Sequence, residues 1–362
     1  MQKFCVFCGA TPRGKNKEHI IPKWLIELTG NPNRQAFFGF DVRSDTPRLR
    51  KYAFDAFSFP ACSECNAKFS QLEGAAKRVI VSMLEEKAIN DLDVSCLLNW
   101  LDKVRVGLWL GFLMLCENQP EITPKFHINS RIAAADRLVF VYRLATERTG
   151  VNFIGPESPS FLYVPSSFAL LINNFCFFNV SHFNLCDRRL GFPYAREAFY
   201  RGMDMNIEAD FVEGLGRCFH PVLRNQSLPD CTRFYQPIFS KFKDAHGLES
   251  LFRADYVRDN SLDWDKGIGR VFYEVNGRPL LFPRHESHDW WPHVAYSIVD
   301  FLPAINQQVY DFQIEVVSNA ASLRKMSKTE RTTIRQHLQF YRNVNNLMIR
   351  FVREQVANIV SH

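Results

Sequence analysis

The sequence predicts an α+β protein in which a small cysteine-rich module precedes a larger mixed α/β region with a helical C-terminus. Two Cys-x2-Cys pairs, "CVFC" at 5–8 and "CSEC" at 62–65, mark the first module. β-branched and aromatic residues, which favour strands, dominate residues 137–190. Apolar residues spaced three and four apart predict a helix from Asn66, and Ser327 is an N-cap candidate for a long C-terminal helix.

The chain length sets the expected domain organisation. Its 362 residues are enough for two or three domains. We divide the chain into a first domain over residues 1–80 and a second region over residues 81–362. The formal net charge of +6 is mild and is compatible with a polyanionic partner without establishing one.

The remaining elements follow from local patterns. "RQAFFGFDV" and "KYAFDAFSF" predict strands in the first domain, and a second helix is expected over 92–116. Its apolar stretch "VGLWLGFLMLC" is too short to span a membrane and predicts a buried helix. Residues 191–285 are predicted to be rich in loops, with Asn276-Gly277 forming a hairpin turn.

Cysteine usage indicates the compartment. Ten cysteines are too few for a disulfide scaffold of this length, and the N-terminus has no apolar signal-peptide segment. We therefore expect a cytoplasmic protein that has no membrane partner. In a reducing compartment, paired Cys-x2-Cys motifs favour a metal site over a disulfide.

The two cysteine pairs predict a structural zinc site. Together they supply the four thiolates of a closed tetrahedral site, Cys5, Cys8, Cys62 and Cys65. The alternative is that some of these cysteines are simply small buried residues.

The stretch "KEHIIPKWL" at 17–25 lies between the two pairs, and "CSEC" is followed directly by Asn66. The order C-x2-C, EHIIP, C-x2-C-N resembles the HNH endonuclease family, whose core is the ββα-metal fold. The resemblance covers residues 1–80. It implies an endonuclease that hydrolyses phosphodiester bonds, and by analogy a role in restriction or antiphage defence.

The resemblance also implies roles for individual residues. His19 would be the general base that activates water, while Glu18 and Asn66 would bind a catalytic Mg²⁺ or Mn²⁺. The chemistry is reasonable on its own terms, because a neutral imidazole can take a proton from water and hard oxygen donors suit such ions. Zinc would remain a separate, structural ion held by sulfur.

Two features complicate this interpretation. Glu18 and His19 are adjacent, so a regular strand would direct them to opposite faces. The family usually carries a central Asn, which is missing here, and Asp55 is the nearest polar substitute. Glu73 lies seven residues beyond Asn66 on nearly the same helix face, where it could be a further ligand or could pair with an arginine.

The expected partner is nucleic acid, with double-stranded DNA favoured. Basic residues that could contact phosphates crowd the first module: Arg13, Lys15, Lys17, Lys23, Arg48, Arg50, Lys51 and Lys68. Arg331, Arg335 and Arg342 near one face of the last helix form a second candidate contact, although basic helix faces are usually just solvated. The second region would sense a signal, form a homodimer, bind a partner protein or select substrate.

Alternatives remain at the sequence level. The chain could be a non-catalytic zinc-binding module that recognises nucleic acid or protein, and the missing central Asn favours that alternative. Two other groups of metal-type side chains are read as incidental or structural: Cys218, His220 and Cys231, and His285, His288 and His293.

Overall fold

The computed structural model describes residues 4–14, 16–41, 48–115, 122–145, 147–182, 194–201, 206–212, 221–224, 228–238, 269–276, 278–322 and 327–360. Over these ranges the chain is a mixed α and β protein with a helical C-terminus, as predicted.

The N-terminal part is organised around one strand pair, formed by its first and last strands, and the long helix that follows it. Its elements are β1 (Asn16–His19), α1 (Lys23–Leu28), β2 (Gln35–Asp41), β3 (Arg48–Ala53), a 3-10 turn (Phe54–Phe57), β4 (Ser58–Ala61) and α2 (Ser63–Leu84). β1 and β4 pair antiparallel, and β2 and β3 form a separate hairpin inserted between them. The second predicted strand is divided, because "KYAFDAFSF" passes from β3 through the turn into β4.

Helix α3 (Asp91–Leu115) matches the predicted second helix to within one residue at each end. Every residue from Trp100 to Leu113 is buried, as expected for the apolar stretch. The helix has no exposed face there because other elements pack all around it. No helix in the described ranges has the length and apolarity needed to cross a membrane.

The second region is built on an eight-stranded sheet in the described ranges, with strand order β13-β12-β11-β5-β8-β7-β6 and β14 parallel to the end of β5. Its strands are β5 (Asp136–Leu144), β6 (Val151–Ile154), β7 (Ser167–Ile172), β8 (Phe175–His182), β11 (Thr232–Gln236), β12 (Phe272–Val275), β13 (Arg278–Leu281) and β14 (Ala295–Tyr296). A separate antiparallel pair is formed by β9 (Tyr194–Arg201) and β10 (Asn206–Val212).

The helices of this region are α4 (Ile128–Arg131), α5 (Pro159–Tyr163), α6 (Pro221–Arg224), α7 (Ile298–Ser322) and α8 (Lys328–Val360). The N-cap prediction for the last helix is confirmed. Ser327 Oγ accepts from the Glu330 backbone N–H at 3.2 Å, and Glu330 Oε2 accepts from the Ser327 N–H at 2.7 Å. This reciprocal pair is a capping box.

The sheet separates two cores, because successive side chains of a strand point to opposite faces. On β5, Val139 and Val141 belong to the core that includes α3 and the N-terminal strands. Leu138, Phe140 and Tyr142 belong to the core beneath α7. The sheet therefore lies between α3 on one face and α7 on the other.

The hairpin turn after β12 is formed, and Asn276 adopts the left-handed conformation there with φ 51°. The prediction of loops over 191–285 was wrong where β9, β10 and β11 form. β11 is only five residues long, and its pairing with β5 and β12 rather than its own pattern makes it a strand.

The domain division at residue 80 stays a prediction. Residue 80 lies inside α2. The ring of Phe57, which precedes residue 80, lies 5.7 Å from the ring of Phe153, which follows it.

Candidate metal centre and the adjoining strand

The four predicted zinc ligands are brought together. The Sγ atoms of Cys5, Cys8, Cys62 and Cys65 all lie within 4.8 Å of one another, and those of Cys8 and Cys62 are 3.9 Å apart. Tetrahedral zinc with Zn–S bonds of about 2.3 Å places its sulfurs about 3.8 Å apart. The donor set and its spacing therefore fit one zinc ion.

The first cysteine pair forms a tight backbone turn. The N–H of Gly9 donates to the Cys5 carbonyl at 2.8 Å, and the N–H of Cys5 donates to the Ala10 carbonyl at 2.8 Å. Gly9 has φ +79°, and a Cβ at this position would lie 2.4 Å from Cε1 of His127. Glycine is thus required by both the backbone conformation and the imidazole packed against it.

The second pair sits at the start of α2. Cys62 is the N-cap residue, and its carbonyl accepts from the Asn66 N–H at 2.9 Å. The Cys62 N–H donates to Cys5 Sγ at 3.2 Å, which ties the two pairs together. The N-terminus of a helix favours negative charge, so this position suits thiolates.

The thiols experience different local environments. Burial raises the pKa of Cys5, but backbone N–H donors from Cys62, Cys8 and Phe7 outweigh it, and the net pKa lies below the ordinary value. Burial and the neighbouring thiols raise the pKa of Cys65 to about 12. A bound divalent cation would favour the thiolate form at all four positions.

Strand β1 directs Glu18 and His19 to opposite sides. Its pairing with β4 is regular, with Glu18 opposite Phe59 and His19 opposite Ser58. Glu18 is 7% exposed and points inward, whereas His19 is half-buried. The strand has no bulge that would bring both side chains to one site.

The carboxylate of Glu18 is already engaged. Lys103 of α3 is completely buried and places its Nζ 2.5 Å from Glu18 Oε1. Burial alone would lower the pKa of Lys103, but the carboxylates of Glu73 and Glu18 outweigh it and hold the pKa above its ordinary value. The metal-ligand role of Glu18 stays a prediction, and any ion there would have to share the carboxylate with this ammonium.

Glu73 also points into this interior. It pairs with Lys103, rather than with the arginine considered from the sequence, and it accepts from Trp24 Nε1 at 2.9 Å and Trp100 Nε1 at 3.2 Å. Sequence reasoning missed Lys103, because Asp102, Lys103 and Arg105 directly precede the apolar stretch "VGLWLGFLMLC", where charged residues normally mark the solvent-exposed end of a buried segment. The available signal was three charges inside a helix that has no polar face.

Asn66 lies in the first turn of α2 and faces β1. Its Nδ2 donates to the Lys17 carbonyl at 3.4 Å, two residues from His19. Asp55 belongs to the 3-10 turn Phe54–Phe57, but its side chain lies outside the described part of the chain.

The basic residues of the first module are partly described. The side chains of Arg13, Lys17, Lys23, Lys51 and Lys68 are exposed. Lys15 and the side chains of Arg48 and Arg50 lie outside the described residues. On α8, Arg331, Arg335 and Arg342 are likewise exposed.

The other candidate metal groups do not assemble where the structure describes them. Cys218 and His220 lie outside the described residues, and Cys231 has its Sγ 3.7 Å from the Pro229 carbonyl. Among the described residues, the four cysteines are the one group of three or more His, Cys, Asp or Glu side chains close enough to share an ion. His285, His288 and His293 are exposed and do not form such a group.

Comparison with known proteins adds no family assignment. No protein-family model, no curated protein and no solved structure matches this chain.

Proposed function

We propose that this protein is an HNH-type endonuclease that hydrolyses phosphodiester bonds of nucleic acid, with double-stranded DNA as the expected substrate. One observation carries the proposal: two antiparallel strands lead into a helix, β1-β4-α2, and the four-cysteine cluster joins both cysteine pairs to this unit. His19 lies on the first strand and Asn66 in the first turn of the helix. This is the order of elements that the sequence resemblance implies.

His19 is the proposed general base. It sits on the side of β1 opposite the buried Glu18, next to the strand backbone that Asn66 contacts. A neutral imidazole there can accept a proton from water that attacks a phosphodiester. Exposed Arg13, Lys17 and Lys68 on the same unit would bind the flanking phosphates and place the backbone without reading its sequence.

The two metals differ in how well the residues fit them. The cysteine cluster fits zinc, which would hold the first cysteine turn to the start of α2 and so keep His19 and Asn66 in register. The proposed Mg²⁺ or Mn²⁺ site fits less well, since Glu18 is paired with Lys103 and Asn66 donates to a backbone carbonyl.

A second function is favoured by one specific observation. Because Lys103 occupies the carboxylate that should bind the catalytic ion, the unit could recognise nucleic acid or protein without cleaving it. The same zinc cluster and basic surface would serve that role.

Cleavage assays distinguish the proposed nuclease from the non-catalytic recognition module. Supercoiled plasmid, linear duplex and single strands are incubated with the protein in Mg²⁺ or Mn²⁺, beside His19→Ala and the exposed control His293→Ala. A nuclease should cleave in the wild type and the control but not in His19→Ala. Cleavage retained by His19→Ala would refute the base assignment, and binding of nucleic acid without cleavage in every condition would favour the recognition module.

Removal of the metals needs its own control. EDTA treatment is followed by a colorimetric zinc assay, so that loss of the second ion is distinguished from loss of structural zinc. Activity that returns on adding Mg²⁺ to protein that has kept its zinc would support a separate catalytic ion.

A further inference from the structure

We infer that Lys103 is a positioning residue for His19, and that Glu18 serves as the anchor through which it acts rather than as a ligand of a catalytic ion. The inference deepens the proposed function and rests on it. It comes from a buried polar network around the stretch "EHIIPKW", on the side of β1 away from His19.

The network holds that stretch at both ends. Glu18, directly before His19, bonds to Lys103 Nζ at 2.5 Å. Trp24, at the start of α1, donates its indole N–H to Glu73 Oε2 at 2.9 Å. Lys103 pairs with Glu73 as well, so one ammonium links β1, α2 and α3.

The residue after His19, Ile20, is also held in place. Ile20 is completely buried, and its N–H donates to the Phe57 carbonyl at 3.0 Å. Ile20 also packs on Gly107 of α3, where a Cβ would lie 2.5 Å from its Cδ1. With Glu18 and Ile20 both held against α3, the alternation of the strand directs the intervening His19 away from α3.

The chemistry explains why a lysine is needed at this point. Glu18 and Glu73 are two carboxylates in a largely buried space, and Lys103 is 0% exposed between them. Without the ammonium, the carboxylates would repel each other and seek water. The strand that carries His19 would then move away from α3.

The test compares Lys103→Met with Arg105→Met. Arg105 is a matched control, because it is equally buried on the same helix but pairs with Asp102 and faces Asn179 of the sheet. We expect Lys103→Met to lower kcat by up to about 100-fold, with KM and the Mg²⁺ requirement unchanged, whereas Arg105→Met should affect stability more than kcat.

A second readout does not depend on cleavage. In protein with carbon-13-labelled histidine, the His19 resonances are assigned by their loss in His19→Gln. Lys103→Met should shift these resonances, and Arg105→Met should leave them in place. If Lys103→Met folds poorly, the double variant Glu18→Leu/Lys103→Met removes the Lys103–Glu18 pair, leaves Glu73 with its two indole N–H donors, and is read in the same way.

Glu18→Gln distinguishes the anchor from an ion ligand. Glutamine can still accept from Lys103, so an anchor should lose less than ~10-fold in kcat with the same Mg²⁺ requirement. A higher Mg²⁺ requirement would overturn the anchor role. Unmoved His19 resonances in Lys103→Met would overturn the positioning role, and this outcome can be seen even if the wild type cleaves nothing and the proposed nuclease fails.

Discussion

Gly111 of α3 lies against the ring of Phe59 on β4, and a Cβ added at Gly111 would lie 2.5 Å from Cε2 of that ring. One turn earlier, Gly107 makes the same kind of contact with Ile20. The two glycines thus let both strands of the N-terminal unit approach the helix backbone. Because Gly107 and Gly111 have no Cβ, Ile20 and Phe59 can lie directly against the backbone of α3.

Gly111→Ala should therefore destabilise the protein, because the added methyl group forces Phe59 out of its position. We expect a loss of about 1–3 kcal/mol in the free energy of unfolding, measured by urea denaturation. Gly74→Ala is the control, since nothing lies within 4 Å of a Cβ there and the residue is exposed in the middle of α2. That variant should gain up to about 1 kcal/mol; equal losses in both would contradict the contact.

Zinc should be present at one ion per chain in the purified protein. Cys62→Ser removes one of the four thiol ligands, whose Sγ lies 3.9 Å from that of Cys8, so we expect loss of the ion and a lower thermal unfolding temperature. Elemental analysis and calorimetry check both effects. Cys96→Ala, a half-buried cysteine outside the cluster, should keep its zinc. Retention of zinc by Cys62→Ser would rule out the four-cysteine site.

Asp102 is the central acceptor of a second buried network. Its Oδ1 binds Arg105 at 2.6 Å, while Oδ2 binds Arg137 at 3.2 Å and the Ala133 N–H at 3.1 Å. Asp102→Leu would leave two arginines buried without their carboxylate, so we expect a cost of about 3–5 kcal/mol in thermal or urea unfolding. Asp300→Asn, exposed in the first turn of α7, should cost less than about 1 kcal/mol.

Glu157 should make the folding stability depend on pH, and the direction follows from its raised pKa. Burial raises its pKa above the ordinary value, although Tyr310 and the Gly155 N–H donate to it. The folded state therefore binds the proton more tightly than the unfolded state, and this residue's contribution to stability falls as pH rises from about 4.5 through the raised pKa. Relative to Glu157→Gln, the wild type should gain stability as pH falls from 7 to 5.

Thermal unfolding across that pH range measures the difference. Glu354→Gln, exposed on α8, serves as the control and should run parallel to the wild type. A wild type that loses stability relative to Glu157→Gln on acidification would contradict the raised pKa.

Sequence reasoning recovered what local pattern determines. The four cysteines, the limits of α3, the Ser327 cap and the Asn276 turn depend on spacing and on residues with strong conformational preferences. β11 was not predicted, because five residues show too little periodicity to identify a strand. It is a strand because it pairs with β5 on one side and β12 on the other.

The partner of Glu18 could not be predicted for a different reason. Lys103 lies 85 residues away in the chain, and only the packing of α3 against β1 brings the two together. Strand alternation predicts that Glu18 and His19 point to opposite faces, but it does not predict whether the partner of Glu18 is a metal ion or an ammonium group.

The position of α3 between the N-terminal strands and the sheet has a consequence for synthesis on the ribosome. When residue 115 has just been added, the face of α3 that will cover Val139 and Phe177 has nothing to pack against. Its buried charges also lack partners at that point, since Arg105 needs Asn179 and Asp102 needs Arg137. The candidate site is encoded before the sheet that packs against α3, so a chain that terminates before the sheet has been translated should be prone to aggregate.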